Sequence, residues 1–243
     1  MAEIGTGITE GLERVLVVMA HPDDVDFSSA GTMASWTAAG IAVSYCLVTD
    51  GEAGGNDREL PRSEMARIRR EEQTAAAAVV GVTDLHFLGH PDGVVYVTHE
   101  LRRDISRVIR QVQPQRVLVQ NPQRNWIRIY GSHPDHMAAG EAALCAVYPD
   151  SRNPFAHPEL LAEGLEPWTV PETWIVMGPE CNYFVDITDH FEDKVKALSS
   201  HVSQDPGGGD PGAIVKMFGT GMAALAGAPE GRLCEAFQVL NTL

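Results

Sequence analysis

Two short polar clusters carry most of the chemistry this chain could perform. They are Ala20-His21-Pro22-Asp23-Asp24 and, far along the chain, Ser132-His133-Pro134-Asp135-His136. The first follows the apolar run 15–19, and the second opens a helical pattern. A histidine and two carboxylates at the end of a buried strand are costly to desolvate unless they are paired, hydrogen-bonded or metal-bound. His21 and Asp24 stand three apart in a bend stiffened by Pro22, which can turn an imidazole and a carboxylate toward one ion. His136 could complete the two-nitrogen, one-carboxylate set that catalytic zinc uses, with a position left open for water. Iron, cobalt and manganese suit the same donors. Each cluster alone is explained as well by a hydrogen-bonded loop at a strand end. Together, one after a strand and one before a helix, they point to a metal-dependent hydrolase.

The neighbouring residues suggest how such a site would work. Asp23 could accept a proton from an attacking water, or it could orient a ligand or cap the next helix. His133, about one helical turn before His136, could donate a hydrogen bond to a developing oxyanion or a proton to a leaving nitrogen. Asp135 could orient that imidazole, although helix capping accounts for it nearly as well.

These clusters need elements to position them, and the hydrophobic pattern supplies candidates. Runs 15–19, 41–48, 85–88, 116–120, 174–177 and 183–187 read as strands, and 27–39, 64–80, 101–112, 137–147 and 190–201 as helices. In 101–112 the apolar residues Leu101, Ile105, Val108, Ile109 and Val112 follow helical spacing. Strand and helix patterns alternate through residue 147, which predicts an α/β fold, a mostly parallel sheet with helices on both faces. Ligands in such folds collect beyond the carboxyl ends of strands, where the His21 cluster falls. An antiparallel edge is expected from the C-terminal third. Length leaves one domain as plausible as two, and no interdomain linker interrupts 1–243; the first 11 residues read as flexible, and 205–212 as a Gly/Pro/Asp loop.

Composition narrows the partners. The 243 residues include 18 basic and 33 acidic side chains, a net charge of −15, which opposes a nucleic-acid surface or binding to an anionic membrane. No apolar run reaches bilayer length and no leader pattern opens the chain, so a cytoplasmic enzyme is expected. Cys46, Cys145, Cys181 and Cys234 have no CxxC spacing and read as buried free thiols. Gly207-Gly208-Gly209 lacks the context of a phosphate loop.

The two motifs, in this order, resemble those of the PIG-L/LmbE-like deacetylases, a family that includes GlcNAc-phosphatidylinositol, mycothiol-pathway, bacillithiol-pathway and antibiotic aminosugar deacetylases. The resemblance extends through Thr49-Asp50-Gly51-Glu52, Arg69-Arg70-Glu71-Glu72 and Leu88-Gly89-His90-Pro91-Asp92-Gly93. It implies a Rossmann-like single domain over 1–243 with Zn2+ held by His21, Asp24 and His136, Asp23 as general base, His133 stabilising the transition state and Asp135 behind it. It also implies Glu52, Arg70 and Asp92 at the sugar hydroxyls, with Arg69 as the alternative to Arg70. Trp126 and Tyr130, just before the second motif, could form an apolar wall against a sugar ring. One departure stands out: where the family commonly has Glu after its paired aspartates, this chain has Val25 and then Asp26, which could compensate from a shifted position.

The expected function is zinc-dependent hydrolysis of an N-acyl amide, namely deacetylation of a small N-acetylglucosamine-containing metabolite. The alternatives are an amidase acting on a thiol conjugate or other non-sugar amide, and a non-catalytic, metal-stabilised binding module. By the same resemblance a homo-oligomer, trimer or hexamer, is expected. Segment 153–171, with Phe155, Leu160, Leu161 and Trp168, is the candidate interface or a cover over the chain's own site.

Overall fold

A computed structural model of the chain describes residues 3–127, 129–204 and 210–243. Eight strands form one sheet: β1 (Glu3–Gly5), β2 (Arg14–Met19), β3 (Ala42–Thr49), β4 (Asp84–His90), β5 (Arg116–Val119), β6 (Glu172–Val176), β7 (Tyr183–Asp186) and β8 (Cys234–Asn241). The helices are α1 (Asp24–Ser28), α2 (Ala30–Ala38), α3 (Arg62–Val79), α4 (His99–Val112), α5 (Pro134–Cys145), α6 (Pro158–Ala162), α7 (Phe191–Leu198) and α8 (Pro211–Ala226). The strand order is β1-β7-β8-β6-β5-β2-β3-β4, and every pairing is parallel except the two made by β8. The α/β reading holds.

The centre of the sheet explains why its strands read as unbroken apolar runs. In β2, Val15, Val17 and Met19 pack on one face with Trp36, Ala76 and Ala197, while Leu16 and Val18 pack on the other with Ile105, Ile109 and Ala142. A strand covered on both faces by helices has no polar side to show. α4 is the amphipathic helix its spacing predicts, and the Thr98 hydroxyl caps it by accepting from the Leu101 N–H at 3.1 Å.

Several expectations change. Glu3–Gly5, in the stretch expected to be flexible, pairs in parallel with β7 as the edge strand. The helix expected over 27–39 is broken at Ser29 (φ −145°) into α1 and α2, and it begins earlier, at Asp24. The expected antiparallel edge is instead the interior strand β8, between β6 and β7. Neither α8 nor β8 was anticipated, because each lies in a region without clean periodicity. Residues 205–209 of the expected loop lie outside the described residues, and 211–212 already belong to α8. Of the four apolar residues singled out in segment 153–171, Leu160 is buried, Leu161 and Trp168 are half-buried, with the Trp168 ring N–H donating to the Pro114 carbonyl at 2.8 Å, and Phe155 is 89 % exposed. Buried Arg110 of α4 fastens this region by donating to the carbonyls of Asp150, Ser151 and Asn153. Cys46 and Cys234 are buried and Cys145 and Cys181 half-buried; all four are free.

The order of the strands decides where a ligand can sit. From β2 the chain proceeds outward to β3 and β4, then returns to place β5 on the other flank of β2. That reversal makes the crevice beyond the carboxyl ends of β2 and β5 the switch point of the sheet. His21 follows β2 and His136 lies in the first turn of α5, the helix after β5. At Gly140 a Cβ would collide with the Gln120 carbonyl, so glycine there lets α5 lie close over the end of β5.

Candidate metal centre and active site

The bend after β2 is held by local hydrogen bonds. The His21 N–H donates to Asp24 Oδ2 at 2.7 Å, and the Ala20 N–H donates to Gln120 Oε1 at 2.8 Å, tying β2 to the end of β5. These contacts aim His21 and Asp24 inward, where α5 delivers His136. His21 Nδ1 lies 3.2 Å from His136 Nε2 and 3.4 Å from Asp24 Oδ2, and His136 Nε2 lies 3.0 Å from Asp24 Oδ1. Ligand atoms about 2.0–2.1 Å from a tetrahedral zinc stand roughly 3.3 Å from one another. The two imidazole nitrogens thus converge on one carboxylate that turns Oδ2 toward His21 and Oδ1 toward His136, an N/O donor set whose chemistry suits a divalent transition metal.

The opposite edge of the His21 ring is equally engaged. Nε2 lies 3.0 Å from Asp92 Oδ1 and 3.3 Å from Asp135 Oδ2. A proton on Nε2 shared with these carboxylates leaves the Nδ1 lone pair facing Asp24 and His136, the carboxylate–histidine–metal arrangement. His21 with Asp92 and Asp135, and His21 with His133 and His136, also bring their donor atoms within reach of a single ion. The Asp92 and Asp135 carboxylates, however, are occupied by backbone donors: Ala53 N–H to Asp92 Oδ2 at 2.9 Å, Gly93 N–H to Asp135 Oδ2 at 2.7 Å, and Val95 N–H to Asp135 Oδ1 at 3.2 Å.

His133 stands at the N-cap of α5, and its Nδ1 accepts from the Asp135 N–H at 3.2 Å. Any proton on the neutral ring is thus on Nε2, and the exposed side chain can donate outward. Burial, then the nearby His21 and His136, lower its pKa, favouring that neutral donor. The Asp135 carboxylate makes no ion pair with His133 among the described residues; it faces His21 and the 93–95 backbone.

Asp23 occupies a left-handed backbone conformation, φ 92°. Its carboxylate accepts from Arg69 Nη2 at 2.9 Å, and the same guanidinium donates to the Pro22 and Gly51 carbonyls. Gly51 itself has φ 69°, and any side chain there would strike Arg69. Burial and the adjacent Asp24 carboxylate push Asp23 up to about 6, against the opposing pull of Arg69, His201 and His21. Asp24 moves the other way: burial would raise it, but His136 and His21 hold it well below the usual carboxylate range. Burial would lower His21, yet Asp24 and Asp92 raise it to about 10 in the metal-free protein.

The residues expected at a substrate are distributed unevenly. Arg70 leaves α3 about 100° round from Arg69 and pairs with Asp50 at 2.8 Å. Glu52 accepts from the Asp92 N–H at 2.8 Å, and Asp92 itself turns inward to His21. Trp126 is exposed on the loop that leads into α5, while the Tyr130 side chain lies outside the described residues. Arg69 is the site residue the sequence placed only as an alternative. Its signal was helical spacing, since Met65, Arg69, Gln73, Ala76 and Ala77 form the buried face of α3.

A mostly parallel α/β sheet with imidazoles and carboxylates converging at its switch point defines a Rossmann-like protein able to hold a divalent metal. The chain belongs to the PIG-L/LmbE-like family: the profile described as GlcNAc-PI de-N-acetylase matches residues 16–147. It is 37 % identical over 195 residues to a diacetylchitobiose deacetylase of Thermococcus kodakarensis, covering 80 % of this chain and 71 % of that one. The crystal structure of an N,N′-diacetylchitobiose deacetylase from Pyrococcus horikoshii superposes with a TM-score of 0.87 at 29 % identity, covering 96 % of this chain and 85 % of that chain. A 4-carboxy-2-hydroxymuconate hydratase from Pseudomonas putida gives a TM-score of 0.76 at 21 % identity, covering 94 % and 96 %, a likeness of fold alone. No helix among the described residues is long and apolar enough to cross a membrane.

Proposed function

We propose that this protein is a zinc-dependent deacetylase that hydrolyses the N-acetyl amide of a small N-acetylglucosamine-containing metabolite, with His21, Asp24 and His136 as metal ligands. The observation that carries this reading is the convergence of the His21 and His136 nitrogens, 3.2 Å apart, on the Asp24 carboxylate, whose Oδ2 and Oδ1 lie 3.4 and 3.0 Å from them. The relatives named as diacetylchitobiose deacetylases make a short N-acetylglucosaminide, N,N′-diacetylchitobiose first, the substrate class to test.

When bound, the cation supplies Lewis-acid polarisation of the acyl carbonyl and a lowered pKa for water. The chain's own groups do the rest. Asp23 takes a proton from the attacking water, and its pKa of about 6 suits a base that works near neutrality. Arg69 keeps its carboxylate in place. The His133 Nε2–H donates to the oxyanion that forms as water adds to the acyl carbon. Cleavage of the C–N bond with protonation of the nitrogen releases acetate and the free amine. Asp92 and Asp135 hold the His21 ring, Glu52 holds the Asp92 backbone, and Trp126 offers the apolar wall for a sugar ring.

Incubating zinc-loaded protein with defined N-acetyl sugars, thiol-linked pseudodisaccharides and non-sugar amides, while following acetate and new amines by mass spectrometry, tests the proposal. Release of acetate from the N-acetylglucosaminides is expected. Exclusive cleavage of a non-sugar amide would overturn the substrate, and bound metal with no amide cleaved would overturn catalysis.

A further inference from the structure

Asp23, the proposed base, is held in an unfavourable backbone conformation. A non-glycine residue at φ 92° persists only where its surroundings over-determine it. Here α3 grips Asp23 at two points four residues apart on one helical face. Arg69 takes the carboxylate, and Gln73, fully buried, accepts the Asp23 N–H on Oε1 at 2.7 Å.

Gln73 could not do this reliably by itself, because an amide can flip and present its NH2 to a group that needs an acceptor. Its other end settles the orientation. Gln73 Nε2 donates to Asp26 Oδ2 at 2.9 Å, so the donor end of the amide is taken up and its oxygen is left facing Asp23. Asp26 is completely buried, and the same Oδ2 lies 2.8 Å from Nε2 of His201, which is 5 % exposed and follows α7. The chain of contacts runs His201, Asp26, Gln73, Asp23, without touching the three metal donors.

We propose that Gln73, keyed by Asp26 and clamped by His201, is a positioning residue that fixes the left-handed Asp23 backbone and so the aim of the catalytic carboxylate. This assigns a purpose to Asp26, the residue that follows Val25 where the family pattern has Glu. It rests on the reading of Asp23 as general base.

The test is steady-state kinetics on an N-acetylglucosaminide with zinc content measured on the same samples. Gln73→Met, which keeps the volume and removes both hydrogen bonds, should lower kcat by about 10- to 100-fold with KM and zinc content near wild type. In an Asp23→Asn background, Gln73→Met should cause no further loss, since the group it aims is already gone. A rescue pair covers the case in which Gln73→Met fails to fold: His201→Leu should lower kcat, and His201→Gln, which keeps a donor toward Asp26, should restore most of it. Wild-type kcat in Gln73→Met, an additive loss in the double variant, or equal kcat in the two His201 variants would overturn the proposal. Wild-type turnover in Asp23→Asn alone would instead overturn the base assignment, so the two failures are told apart.

Discussion

Asp92 Oδ1 stands 3.0 Å from His21 Nε2, on the side of the ring opposite Asp24 and His136. The carboxylate expected to meet a sugar thus grips an imidazole that faces the other two proposed metal ligands. Outer partners of this kind orient a ligand and raise its basicity. Asp92→Ala should therefore weaken zinc binding by about 10- to 100-fold, measured by competition with a chromophoric chelator. Unchanged zinc affinity with a raised KM would return Asp92 to the substrate.

The pH dependence of metal uptake follows from the same ring. Asp24 and Asp92, prevailing over burial, raise His21 to about 10 in the metal-free protein, so at neutral pH it carries a proton that a metal must displace. Zinc affinity should fall roughly tenfold for each unit the pH drops below about 10, and binding should release a proton. Titration calorimetry in buffers of differing ionisation enthalpy measures that release. Without metal, the raised pKa means that charged His21 stabilises the fold fully below its unfolded value near 6.5, a contribution lost as the pH rises through about 10.

Arg69 and Arg70 should behave as opposites. Arg69 is 5 % exposed against an Asp23 that is 18 % exposed, and removing one member of a buried pair costs about 3–5 kcal/mol. Arg69→Met should lower stability by roughly that amount in denaturant titrations and lower kcat with it. Arg70 is 44 % exposed and its pair with Asp50 is worth less than about 1 kcal/mol, so Arg70→Ala should leave both within error. A loss of kcat in Arg70→Ala with Arg69→Met unaffected would reverse the assignment.

Assembly is the remaining expectation. Trp126, Ile127 and Phe155 are each more than four-fifths exposed and are the apolar side chains an interface between copies would cover. We expect a homo-oligomer, trimer or hexamer, in light scattering at micromolar concentration. A monomer alone would reject it.

Much of this protein was legible before any tertiary contact was known. The runs 15–19 and 116–120 and the spacing of Leu101, Ile105, Val108 and Ile109 report local backbone periodicity, so their strands and helix follow from residues close in the chain. His21 with Asp24, and His136 at the start of α5, were likewise visible because short motifs fix which side chains share a bend or a turn. What only the tertiary structure decided is which partner each carboxylate faces. Asp135 turns to His21 instead of His133 because the Gly93 and Val95 N–H groups, distant in sequence, supply the donors that hold it there. Asp26 finds His201 only once α7 has packed against α1. The place of β8 inside the sheet depends on hydrogen bonds to β6 and β7, which no local pattern encodes. Periodicity specifies the elements, while the direction of a buried polar group is set by whichever donors the rest of the chain brings within hydrogen-bond reach.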